Sequence, residues 1–133
     1  MKRLLLVGLL ALSACAPVAQ VAQPNERATL TRDGRSLLLS NPGPDALTGD
    51  PTRTGDGPAL TLEGSGDLAL DATAQKWCKA TPAPAGRRYA CNLPEVPAGQ
   101  RLRITWTAGT VSDAGVIAYR PSLGVRPVLV WLQ

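Results

Sequence analysis

Between Arg27 and Gln133 the apolar residues of this chain fall at every second position in short runs. Most of these runs are closed by Gly, Pro, Asp or Asn. A period of two sends alternate side chains to opposite faces of a strand, whereas a helix requires a period near 3.6. Gly and Pro together make up 25 of the 133 residues and stand between the runs rather than inside them. The pattern therefore predicts an all-β domain with many turns.

The clearest hairpin is RATLTRDGRSLLLS, in which Asp33-Gly34 is a favoured two-residue turn. Pairing outward from that turn sets Leu30 opposite Leu37 and Ala28 opposite Leu39, with all four on one face. ALTLEG (59–64) and DLALDA (67–72) alternate with Leu60, Leu62, Leu68 and Leu70 inward. RLRITWT (101–107) turns Leu102, Ile104 and Trp106 one way and Arg101 and Arg103 the other. GVIAYR (115–120), VRPVLVWLQ (125–133), QKWCKA (75–80) and RRYACN (87–92) bring the expected total to seven to nine short antiparallel strands. That number at this spacing fits a sandwich or small barrel. Trp77 and Trp106 are expected in the core, with Trp131 the most exposed tryptophan.

Residues 1–14 have a different texture. Met1-Lys2-Arg3 is basic, and Leu4 to Leu12 is apolar apart from Gly8, about half the length that a membrane-spanning helix needs. A basic start, a short apolar run and small residues at its end predict an export signal. Leu12-Ser13-Ala14-Cys15 resembles the lipobox of bacterial lipoproteins. That resemblance implies cleavage before Cys15, a diacylglyceryl group on its thiol and anchoring of the chain to a bilayer in the bacterial cell envelope. Dual acylation suffices without a spanning helix, since each buried CH2 contributes about 0.8 kcal/mol. Residues 15–26 then read as the lipidated cysteine and a Pro-containing tether, and 27–133 as the domain.

Export also bears on the other two cysteines. Cys78 and Cys91 flank KATPAPAGRRYA, and an oxidising compartment permits a disulfide between them. A metal site would lack companions, because the chain has no histidine and no third cysteine nearby.

LLLSNPGPDALTG (37–49) and KWCKATPAPAGRRYACNLPEVPAGQRLRITWTAG resemble the conserved repeat domain of bacterial envelope and surface proteins. The match rests on Asn41, Gly43, Pro44, Asp45 and Ala46, and then on a Trp-Cys strand followed by a Cys-x-Leu strand. It covers roughly residues 27–109 and implies an immunoglobulin-like sandwich whose cysteine pair bridges neighbouring strands. The chain departs from that family in having one copy and in continuing through 115–133. The family lends a fold and a structural or adhesive role, with no catalytic residues to carry over.

The residues themselves argue against catalysis. Without histidine there is no Ser-His or Cys-His pair, and EGSGD (63–67) has neither the spacing nor the setting of a nucleophile elbow. Asp50 and Asp56 in GDPTRTGDG lack the spacing of a calcium loop and read as a solvated turn. No metal and no cofactor is therefore expected.

The full chain carries 14 Lys and Arg against 10 Asp and Glu, and removing Lys2 and Arg3 leaves 12 against 10. So mild a balance does not argue for nucleic acid. Arg87, Arg88, Arg101, Arg103, Arg120 and Arg126 are candidate contacts to a partner or an anionic ligand, with a solvated strand face as the plain alternative. The expectation is a lipid-anchored envelope protein whose domain binds another envelope protein. A glycan- or anion-binding module using an arginine-rich sheet face is the alternative.

Overall fold

The structure, a computed structural model, describes residues 26–133. Nine strands form two antiparallel sheets. In chain order they are β1 (Thr29–Asp33), β2 (Ser36–Asn41), β3 (Ala59–Gly64), β4 (Ala69–Leu70), β5 (Cys78–Thr81), β6 (Arg87–Asn92), β7 (Gln100–Ala108), β8 (Val111–Tyr119) and β9 (Pro127–Trp131). One short helix, α1 (Ala72–Gln75), lies between β4 and β5.

The four-stranded sheet runs β1-β2-β7-β4 and the five-stranded sheet β5-β6-β3-β8-β9. Strands β1, β2 and β7 against β3, β8 and β9 reproduce the A-B-E and C-F-G order of an immunoglobulin-like sandwich. The strands between β3 and β7 differ from that plan. β4 joins the first sheet before the β5–β6 hairpin extends the second. A parallel bridge from Leu30 to Leu132 ties the two sheets at one margin. Residues 115–133, which lie beyond the resemblance, supply half of β8 and all of β9, so they are integral to the second sheet.

Alternation places the core as expected: Leu30, Leu37, Leu39, Leu60, Leu62, Leu68, Leu70, Ile104 and Trp106 are all buried between the sheets. Trp77 is partly buried against this core.

The first hairpin differs in register. Leu30 faces Leu39 rather than Leu37, and Asp33 faces Ser36, so the turn residues are Gly34 and Arg35. Gly34 has φ 61°, and among the described residues none other than glycine has positive φ, the pattern of a turn with glycine at its first central position. The inward set survives because the slip moves each partner by two residues, which preserves the face.

DLALDA departs further from expectation, forming a strand only at Ala69–Leu70. The Asp71 carboxylate accepts the Ala74 amide at 2.8 Å and caps α1, so local capping overrides the alternation. QKWCKA likewise enters its strand only at Cys78.

Cys78 and Cys91 form a disulfide and are directly opposed on β5 and β6. The Asn41–Ala46 stretch that carried the family resemblance is a polar corner at the end of β2. Asn41 is 1% exposed, and its amide donates to the Asp45 carbonyl at 3.0 Å and the Val96 carbonyl at 2.8 Å. Its side-chain oxygen accepts the Gly43 amide. A buried amide with both ends satisfied fixes the loop after β2 to the loop before β7.

Candidate functional site

Among the described residues three large apolar side chains stand out into solvent: Ile117, Val125 and Trp131. Ile117 and Trp131 share the outer face of the five-stranded sheet, at 47% and 65% exposure. Cross-strand register explains the surface they share. Ala59, Ile117 and Leu129 form one row across β3, β8 and β9, and Thr61, Gly115 and Trp131 form the next.

Gly115 has no side chain, and a Cβ there would lie 2.6 Å from the Trp131 ring. The indole therefore lies against the bare backbone of its cross-strand neighbour, held in place while one side remains open. These residues line an open groove of about 460 Å³. Glu63 and Asp113, paired across β3 and β8, close one end. Arg88 bonds Glu63 at 2.6 Å, leaving Asp113 as the carboxylate at that end without an arginine partner among the described residues. An apolar floor, an aromatic side wall and a carboxylate suit a basic, partly apolar protein surface.

The six arginines expected as contacts are not brought together. Arg101 and Arg103 share the outer face of the four-stranded sheet, where Arg103 bonds Asp33 at 3.2 Å. Arg87 and Arg88 belong to the other sheet. Arg126 is exposed in the β8–β9 connection. Arg120 contradicts its expected role: it is 3% exposed. It continues the inward phase of Val116 and Ala118 and turns into the end of the sandwich.

There its guanidinium donates to both oxygens of Glu26 at 2.8 and 2.6 Å, and to the Asp45 carbonyl. Asp45 in turn accepts the Ser122 amide at 2.8 Å. Glu26, placed at the end of the tether by the sequence reading, is thus bound to the domain. The six are thus spread over both sheets and one end of the sandwich, with Arg101 and Arg103 sharing a face.

Burial disfavours ionisation of Glu26. The Arg120 hydrogen bond, the Ala28 amide and the Arg120 charge outweigh it and hold the carboxyl below its ordinary 4.5. Burial likewise opposes ionisation of Asp45, but bonds from Ser122 and the Arg120 charge hold it below 3.8. A carboxylate with a lowered folded pKa stabilises the fold above its unfolded pKa, and that contribution is lost as pH falls through the folded value. Urea midpoints should therefore stay level between about pH 7 and pH 5 and decline below about pH 4.5. Arg120→Met should flatten the decline, and an equally steep decline in that variant would refute the assignment.

Among the described residues no three His, Cys, Asp or Glu side chains gather as a metal site. Asp50 bonds the Thr52 amide and hydroxyl at 2.9 and 2.7 Å, and Asp56 pairs with Arg53, so both serve the loop. No helix among those residues is long and apolar enough to cross a membrane. Cys15, with the rest of the signal and most of the tether, lies outside the described residues. The groove itself escaped the sequence reading. Trp131 was legible as exposed, but Gly115 beneath it follows only from the β8–β9 register. Compared with known proteins, the chain matches no family model, no curated protein and no solved structure.

Proposed function

We propose that the chain is a bacterial envelope lipoprotein, acylated at Cys15, whose non-catalytic immunoglobulin-like domain binds another envelope protein through the outer face of β3, β8 and β9. The observation that carries the binding role is the exposure of Ile117 and Trp131 side by side above an apolar floor. Isolated exposed apolar residues are ordinary, whereas a grouped aromatic and aliphatic pair in a groove marks an interaction surface. The negative end of the groove selects a partner segment that places Lys or Arg beside an apolar side chain. The anchoring role rests on the lipobox-like Leu12-Ser13-Ala14-Cys15. The likeness of residues 27–109 to the conserved repeat domain supports a structural or adhesive role of the same kind.

Two measurements test this. Cells fed radiolabelled palmitate should label the protein, and Cys15→Ser should abolish the label; an unlabelled wild-type protein ends the lipoprotein reading. A photo-crosslinking residue at Ile117 should capture one envelope protein, while the same residue at Leu38 on the opposite sheet captures none. Trp131→Ser should weaken that capture about 30-fold, the size of a hot-spot loss. Equal capture from both faces, or capture indifferent to Trp131, would refute the binding face.

A further inference from the structure

Another concave surface lies at the pole where the chain enters the domain. Thr29, Ser40 and Arg101 form one row across the outer face of β1, β2 and β7. Arg27, two residues before Thr29, completes a hollow of about 400 Å³ with Asn41, Pro42 and Gln100. No carboxylate lines it. Among the described residues neither arginine has an ion-pair partner, while Arg103 in the next row is neutralised by Asp33. Glu26, the acidic residue nearest in sequence, is taken up by Arg120 instead. Two guanidinium groups, two hydroxyls and a carboxamide around one hollow present donors for a phosphate.

The position of the hollow identifies the source of that phosphate. Eleven residues lie between Cys15 and Arg27, a span of twelve peptide steps. Fully extended, they reach at most about 40 Å, so a lipid on Cys15 keeps this pole within roughly one domain diameter of the bilayer. We infer that the Arg27–Arg101 hollow takes the phosphate of an anionic phospholipid headgroup and so sets the domain upright on its membrane. The groove of Ile117 and Trp131 belongs to the other sheet, so this docking leaves it clear for a partner. The inference rests on the anchoring reading above. Each arginine near an anionic surface contributes about fivefold to its occupancy, so loss of both costs about 25-fold.

The test uses the chain from Cys15 onward, acylated and reconstituted into vesicles of phosphatidylcholine alone or with phosphatidylglycerol. Hydrogen exchange of the Gly99–Arg103 segment should slow several-fold only on the anionic vesicles, and the effect should vanish in high salt. Arg27→Gln with Arg101→Gln should abolish it. Arg35→Gln with Arg87→Gln, which removes the same charge from the opposite pole, should preserve it. Equal exchange on both vesicles, or loss in the Arg35 and Arg87 variant, overturns the inference. So does full protection by free inorganic phosphate on neutral vesicles, which would make the hollow a soluble-anion site. If the mass shows Cys15 unmodified, the anchoring reading alone fails. The exchange test then proceeds with the Cys15 thiol coupled to a maleimide lipid.

Discussion

Arg120→Met should destabilise the domain by about 3–5 kcal/mol, the usual cost of removing one partner from a buried ion pair. The guanidinium is 3% exposed and joins three segments: Glu26 before β1, Asp45 after β2 and its own position after β8. Removing it leaves the Glu26 carboxylate, which is 10% exposed, with the Ala28 amide but no charge partner among the described residues. It also removes one of the two donors to the Asp45 carbonyl, leaving the Asn41 amide. At roughly 4–8 °C per kcal/mol for a domain of this size, melting should fall by about 12 °C or more.

The comparison that isolates the pair is Arg120→Met combined with Glu26→Met, which should lose less than the sum of the single changes, because no uncompensated charge remains. Arg103→Met removes a half-exposed partner of Asp33 and should change stability by no more than about 1 kcal/mol. Additive single losses, or an Arg120 effect as small as that of Arg103, would show that the cluster is not the clamp described above.

Arg120 also shows where sequence reasoning reached and where it stopped. Its inward phase was legible, since it follows Val116 and Ala118 at intervals of two. An arginine in that phase is either a strand end reaching solvent or a buried ion, and the sequence favours the first because no partner is in view. The partner lies 94 residues away at Glu26, a distance that only the folded topology closes. The same limit applies to Gly115 under Trp131, which needs the β8–β9 pairing. Inward faces were legible throughout, because burial depends on parity alone and parity survived even the shifted first hairpin. Strand ends were less so. At Asp71 a side chain that caps a helix in four residues looks, in sequence, like the outward position of a strand.

Loss of the Cys78–Cys91 bond should cost about 3 kcal/mol, since the cysteines lie 13 residues apart and the crosslink removes that loop's freedom from the unfolded chain. The folded state gives the bond a second consequence. β5 is a four-residue strand at the edge of its sheet, paired only with β6, and its middle residues Lys79 and Ala80 are exposed. Little buried apolar surface holds it, so after reduction it should open before the rest of the sheet.

Hydrogen exchange after reduction should therefore rise first in Cys78–Thr81, while β3 and β8 at the centre stay protected. Cys78→Ala with Cys91→Ala should lower the melting temperature by about 12–24 °C and reproduce that pattern. A variant that melts with the wild type would show that β6 pairing alone secures the edge. Thiol counting of the denatured, unreduced protein bears on the N-terminus as well. The disulfide leaves one cysteine of the three, Cys15, so one reactive thiol means that Cys15 is unmodified and none means that its sulfur is covalently occupied.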